Sequence, residues 1–279
     1  MTLRSHVAKK GLEEDGPDGT QVIEVNDSNP TPDNKDPHYL VNDLKKDLQN
    51  LFGPGEKLDF ILQSPYVRGE HDDFVAFYVD EGSNNFPIQF VDFRRYNSEL
   101  FIRDTVIDGF FWLLNEQFRS TDLTFGKSYW YSRYMVHSDA NSNQLKKVMS
   151  GVHDDTEKLF LPIFIHGNHW ILGVIHFTVR LVEIYDSLDG NNEDVASVIV
   201  NRMSDLYGKR KFWTFQINYR NSTIQRQNDN HNCAFFTCWY AYQLATNNPI
   251  TPWDGDWDGK VKTIRRNVMN SLVTRFIAM

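Results

Sequence analysis

The sequence predicts an α+β domain, a mostly antiparallel sheet flanked by helices around one buried central helix. Three observations predict it. Residues 159–185 hold three runs in succession, LFLPIFI, HWILGVIHF and VRLVEIY, rich in β-branched and aromatic residues and separated by short polar breaks. Residues 233–246, CAFFTCWYAYQLAT, are apolar nearly all round, the pattern of a helix enclosed on every side. Amphipathic helical stripes lie on both sides of these segments, and helices against a largely antiparallel sheet are the layer solution for such a mixture.

The first 38 residues are expected to be a disordered tail. Glu24 to Pro37 (EVNDSNPTPDNKDP) is dominated by Asn, Asp and Pro and is poor in core formers. Val22, Ile23 and Val25, followed by Asn26 and Asp27, interrupt it. An aliphatic triplet with an acidic flank can add as an edge strand to a partner sheet. Residues 39–87 are expected to form an accessory segment. Leu40, Leu44, Leu48 and Leu51 recur at helical spacing, and Gly53-Pro54-Gly55 stops that helix. FVAFYVDEG and then FPIQFVDF read as two short strands.

The main domain is expected over residues 88–279. Asp104 is a candidate N-cap ahead of Val106, Ile107, Phe110, Phe111, Leu114 and Phe118, one apolar helical face. The three strands follow, then a helix over 191–207, a fourth strand over 212–218 (FWTFQIN), and the buried helix. A final helix carries Val261, Ile264, Val268, Leu272 and Phe276 on one stripe. Its basic residues Lys260, Lys262, Arg265 and Arg266 read as a solvated face.

Composition narrows the function classes. The chain has 279 residues, 41% hydrophobic and 14% aromatic, and a globular chain of that length hides roughly three quarters of its unfolded surface. No apolar run reaches the roughly 18 residues of a membrane span, and the N-terminus lacks the apolar stretch of a secretory signal. A net charge of -8 argues against general nucleic-acid affinity. No membrane or nucleic-acid partner is therefore expected. Cys233 and Cys238 are too few for a disulfide scaffold or a four-ligand zinc site, so a reducing intracellular location, nuclear or cytoplasmic, is expected. Asp254, Asp256, Asp258 and Gly259 mimic the start of a calcium loop, but the twelfth position is Arg265, so a polar turn is expected there. No metal or cofactor is expected.

Four polar residues stand at element ends: His169 opens a strand, Asp186 closes the next at IYDSL, Gln227 lies in the loop IQRQNDNHN, and Cys233 begins the buried helix. A helix N-terminus favours a thiolate at Cys233. An imidazole can take the thiol proton and pass it to a leaving amine. Asp186 would fix the tautomer of His169. Gln227, with Gln225 as its rival, would offer a side-chain N–H to an oxyanion beside the backbone N–H of Cys233. Asn232 would cap the helix or donate in a similar way. His231, two residues before Cys233, is a weaker base candidate. Cys238 reads as packing.

The order His, Asp, Gln, Cys resembles the ubiquitin-like protease family, the Ulp-type or sentrin-specific cysteine peptidases. The family's His-Trp matches His169-Trp170, its Tyr-Asp-Ser-Leu matches Tyr185-Asp186-Ser187-Leu188, and its Gln-x-Asn-x-x-Asp-Cys-Gly places Gln227 six residues before Cys233. Its Trp-Leu-Asn-Asp resembles Phe101-Ile102-Arg103-Asp104. The likeness covers roughly residues 88–245. Asn232-Cys233-Ala234 stands where the family has Asp-Cys-Gly, and the motif asparagine is shifted to Asn228 or replaced by Asp229. The resemblance implies a papain-like fold with the nucleophile on the buried helix. It also implies cleavage after the diglycine tail of SUMO or a related ubiquitin-like modifier, in deconjugation or precursor maturation. It further implies that Trp170 and Phe101 wall a tunnel for that tail and that Asp104 pairs with an Arg of the modifier. Two alternatives remain: a same-clan protease acting on ubiquitin, a Nedd-type modifier or a viral or bacterial target, and a weak or inactive modifier-binding module.

Overall fold

The described chain begins with helix α1 (Pro54–Gln63), a hairpin of β1 (Val75–Tyr78) and β2 (Pro87–Gln89), and helices α2 (Phe90–Asn97) and α3 (Asp104–Gln117). Strand β3 (Leu123–Phe125) and a π-helical turn (Tyr131–Val136) precede the main strands β4 (Lys158–Ile165), β5 (His169–His176) and β6 (Leu181–Tyr185). Helix α4 (Glu193–Tyr207), strand β7 (Thr214–Ile217) and helices α5 (Cys233–Ala245) and α6 (Trp257–Thr274) complete it. This is a computed structural model, and it describes residues 54–63, 67, 75–79, 86–119, 121–136, 156–207, 214–217, 224–275, 277 and 279. They belong to one compact unit, residues 36–279. The expected tail, its Val22–Val25 island and the helix over 40–52 lie outside the described residues.

Among the described residues the main sheet has the order β3-β4-β5-β6-β7. It is antiparallel at its centre, where β5 pairs with β4 and β6, and parallel at each side, where β3 joins β4 and β7 joins β6. The pleat sorts side chains between two layers. Phe160, Trp170, Leu172, Val174 and Tyr185 face a core shared with α3, α5 and α6. Leu161, Ile163, Ile171, Val182 and Ile184 face a second core with α4 and the π-helical turn. With both faces covered, the central strands read as continuous apolar runs rather than as alternation.

Helix α5 lies within the first core. Every residue from Cys233 to Ala241 is buried, including Phe235, Phe236 and Tyr240 at 1% exposure. Each such aromatic adds about 1.5–3 kcal/mol by leaving water, so packing rather than helix propensity holds this element. Leu58 and Ile61 of α1 join the same core. The Arg266–Asp59 ion pair beside them is 41% and 48% exposed and adds little.

Three local readings differ from expectation. FPIQFVDF is not one strand: β2 ends at Gln89 and α2 starts at Phe90. The Gln89 N–H donates to Asp92 Oδ2 at 2.9 Å in a capping box, which starts the helix despite the apolar run. Asp104 is not the N-cap of α3. Arg103 is, and Asp104 holds the first helical position, accepting the Thr105 N–H at 2.9 Å. Arg103 is fixed there because its guanidinium forks onto the fully buried Asp92 with two bonds of 2.7 Å. Arg265 is not solvated. It is 4% exposed, inside the α6 interface.

Candidate active site

Register brings the predicted residues to one end of the sheet. The β4–β5 turn uses His166 and Gly167 at positive φ, and the hairpin pairs Ile165 with His169 and Phe164 with Trp170. Strand β6 pairs Tyr185 with Leu172, so Asp186 emerges just past the sheet, beside the start of β5. His169 Nε2 and Asp186 Oδ1 are 2.7 Å apart and both residues are buried.

Asp186 sits in a cradle. Oδ1 also accepts the Leu188 N–H at 2.7 Å, while Oδ2 accepts Gly190 N–H at 3.0 Å and Asn192 Nδ2–H at 2.8 Å. Burial alone would raise the carboxyl's pKa, but these donors and His169 outweigh it and hold it below the usual value. Burial likewise works against charge on His169, yet the Asp186 hydrogen bond and the neighbouring Cys233 push its pKa up to about 9. His169 Nδ1 is buried with no hydrogen-bond partner of its own. With Nε2 committed to Asp186, Nδ1 is the nitrogen left for the Cys233 thiol. Cys233 opens α5 at 1% exposure, where the first backbone N–H groups have no helical acceptor.

Gln227 is joined to the same turn. Its backbone N–H donates to Ser187 O at 3.0 Å, its Oε1 accepts Ser187 Oγ–H at 2.5 Å, and its Nε2 donates to Asp229 O at 2.7 Å. One amide hydrogen of Nε2 remains for another acceptor. Its rival Gln225 is used elsewhere. Gln225 Oε1 accepts the Trp253 N–H at 2.5 Å, and its carbonyl accepts the Tyr240 hydroxyl. Asn232 makes no side-chain cap. Its Nδ2 donates to Asp229 Oδ2 at 2.7 Å and its Oδ1 accepts from Arg265, so its oxygen is not available to cap the helix. His231 Nδ1 faces Asp229 at 3.6 Å. Ala234 is 1% exposed within the core, and Cys238 is fully buried.

A cleft of about 440 Å³ adjoins β5, and Trp170, Phe101 and Asp104 all line it. Tyr129 and Phe164, which sequence reasoning missed, line it too. Phe101, Tyr129 and Phe164 are 40%, 41% and 42% exposed, and the Phe164 ring lies 4.7 Å from that of Trp170. Exposed aromatics around one cleft mark an interaction surface. The signal for Phe164 was its place opposite Trp170 in the hairpin. Tyr129 carried none. Asn192 and Gly190 were also missed, although both fall within the turn that follows Asp186. Among the described residues no group of His, Cys, Asp and Glu has the arrangement to hold a metal ion. Asp256 of the calcium-loop mimic caps α6 instead, accepting the Gly259 N–H.

Residues 110–277 match the model of the Ulp1 protease family, C-terminal catalytic domain. The chain belongs to the Ulp1 protease family. It is a cysteine peptidase of that family on a papain-like α+β fold. The fold is shared with the C-terminal Ulp1 protease domain in complex with Smt3, the yeast ortholog of SUMO. That match has 16% identity and a TM-score of 0.61 and covers 80% of this chain and 94% of the other. It is shared also with the Ulp1-like SUMO protease catalytic domain of Chaetomium thermophilum, at 15% identity and a TM-score of 0.62, covering 80% and 91%. A third likeness is to SUMO protease Ulp1 with its catalytic cysteine oxidized to a sulfinic acid, at 16% identity and a TM-score of 0.60, covering 79% and 94%. In Ulp1-family terms, the His-Trp and Tyr-Asp-Ser-Leu segments of this chain meet at the start of β5.

Proposed function

We propose that this Ulp1-family peptidase cleaves the bond after the diglycine tail of SUMO or a closely related ubiquitin-like modifier, releasing it from conjugates or precursors. The observation that carries the reading is the 2.7 Å His169–Asp186 pair, in which burial is outweighed by the Asp186 hydrogen bond and then by Cys233 at a helix N-terminus, so the ring's pKa is raised. Cys233 Sγ attacks the terminal glycine carbonyl. The oxyanion takes hydrogen bonds from the Cys233 N–H and the remaining Gln227 amide hydrogen. The C–N bond breaks as imidazolium His169 gives its proton to the departing lysine amine, leaving a thioester. Water then attacks the thioester, His169 accepts its proton, and the carboxylate tail leaves. Asp186 holds the ring in line throughout.

Trp170 and Phe101 wall the approach in this reading. A flat aromatic cover suits a tail without side chains. Asp104, exposed at the cleft, meets a basic side chain of the modifier. Leu58, Ile61, Ala76, Phe77 and Phe86 sit in the same core as α5 and α6, which supports counting these described parts of the 39–87 segment with the scaffold of the catalytic unit over 88–279. The two free thiols suit a nuclear or cytoplasmic setting.

Probes carrying an electrophile at the tail of SUMO, of a Nedd-type modifier and of ubiquitin test the reading side by side. Covalent capture by the SUMO probe, lost in Cys233→Ala and His169→Ala, is expected. Gln227→Ala is expected to slow turnover about 10²–10³-fold. Capture by another modifier alone refutes the substrate, and binding without capture refutes the enzyme.

A further inference from the structure

The loop that carries the proposed oxyanion donors is fastened from a distant helix. Arg265 lies on α6, 4% exposed, with its guanidinium 4.7 Å from the Phe235 ring centroid and 5.2 Å from that of Tyr96. Its Nη1 donates to Asn232 Oδ1 at 2.7 Å, and its Nη2 donates to Tyr96 O. Asn232 passes the connection on, its Nδ2 donating to Asp229 Oδ2 at 2.7 Å. Asp229 Oδ1 accepts the N–H groups of His231 and Asn232, both at 2.9 Å, and Asp229 O accepts the Gln227 side-chain amide at 2.7 Å.

We propose that Arg265 is a positioning residue that acts through Asn232 and Asp229 to set the Gln227 amide and the Cys233 N–H at the reacting carbonyl. The inference rests on the roles given above to Gln227 and Cys233. Side-chain chemistry explains why these residue types stand in this order. Arg has only donors and a carboxylate has only acceptors, so the residue between them must accept on one side and donate on the other. Asn does both. Asn232 aligns an amide dipole between a buried cation and an anion, immediately before the nucleophile. Asp229 in turn fixes the loop by its side chain and the Gln227 amide by its carbonyl. A rotation of Asn232 therefore moves both ends of the oxyanion site together.

The same contacts survive if acid and amide trade places. With Asp229→Asn and Asn232→Asp combined, the amide at 229 accepts the two backbone N–H groups and donates to the carboxylate at 232. That carboxylate then pairs with Arg265. Asn232→Asp alone sets two carboxylates against each other. Asp229→Asn alone sets two amide NH2 groups face to face, or turns one toward Arg265.

The experiment measures kcat and KM on a fluorogenic modifier-tail amide and melting temperature for Asn232→Asp, Asp229→Asn, the double exchange, Arg265→Lys and Arg265→Met. The rate of Cys233 alkylation by iodoacetamide is followed against pH for the same set. A donor displaced by about 1 Å costs about 10²-fold, so each single exchange and Arg265→Met is expected to lose about that much in kcat with KM little changed. The alkylation profile should stay as in the wild type, because His169 and Asp186 are untouched. Arg265→Lys keeps the charge but not the fork, and should lose part of the activity. The double exchange should recover most of the loss. Unchanged kcat in Asn232→Asp and Arg265→Lys, or a double exchange no better than either single, overturns the proposal. If Cys233→Ala and Gln227→Ala abolish or slow turnover while these variants do not, positioning alone fails. If those two variants also turn over normally, the catalytic assignment fails and this inference with it.

Discussion

Gly190→Ala puts a methyl group where the Asp186 cradle has no room. A Cβ at Gly190 would lie 2.7 Å from Asp186 Oδ2 and 3.5 Å from Asn192 Nδ2. Gly190 is not among the glycines at positive φ, so alanine meets no backbone strain and the effect is purely steric. Ordinary contact begins near 3.4 Å, so the carboxylate must retreat by roughly 0.7 Å. It cannot do so freely, because Leu188, Asn192 and His169 all hold it. A shift of that size at a group that aligns the base is expected to lower kcat by about 10- to 100-fold. Overpacking should cost about 1–3 kcal/mol of stability. As the Asp186 bond weakens, the pKa of His169 should fall from about 9 toward its ordinary value. Turnover of a fluorogenic modifier-tail amide across pH, with thermal melts alongside, measures all three. Wild-type kcat with an unmoved alkaline limb would show that Asp186 does not align His169.

Asp186→Asn should move the alkaline limb of kcat/KM downward from about pH 9, since the imidazolium loses the partner that raises its proton affinity. Stability should follow the same linkage. The raised pKa of His169 stabilises the fold below about pH 6.5, and that contribution is lost as pH rises through about 9. The lowered pKa of Asp186 stabilises it above about pH 4, and that part is lost on acidification. Denaturant melts should therefore find the gap between wild type and Asp186→Asn widest at about pH 4–6.5, closing toward pH 9. Arg103→Met strands the fully buried Asp92 carboxylate and should cost about 3–5 kcal/mol. Because Arg103 leads from Phe101 into α3 at the cleft, KM should rise as well. Asp92→Asn added to it should restore part of the melting temperature, and no change in that temperature would count against the buried pair.

The residues proposed as catalytic stood out in the sequence because each sits where a pattern changes. His169 opens an apolar run, Asp186 ends one, and Cys233 starts a segment with no polar face. The six-residue interval to Cys233 favoured Gln227 over Gln225, but spacing could not show their contacts: Gln225 anchors the chain at Trp253, while Gln227 is tied to Ser187 beside Asp186. Arg265 was misread because it falls in a run of basic residues. The periodicity nonetheless held the correction, since Val261, Arg265, Val268 and Leu272 share one helical stripe. The change from strand to helix at Phe90 was hidden by an apolar run that fits either element, and only the Gln89–Asp92 spacing marked the boundary. The parallel edges of the sheet were not read: three-residue β3 gave no strand signal, and β7 follows β6 across α4, a strand–helix–strand order that makes the pair parallel.

Cys238 carries a last consequence. It is completely enclosed in α5, where burial pushes its thiol well above the ordinary pKa. Five residues along a helix place it about 8–9 Å from Cys233, Cα to Cα, beyond the roughly 7 Å that an S–S bridge can span. The chain has no third sulfhydryl. A sulfenic acid formed at Cys233 thus meets no resolving thiol within the folded molecule. Its rescue must come from a small reductant or another protein, and without one the damage proceeds to irreversible states.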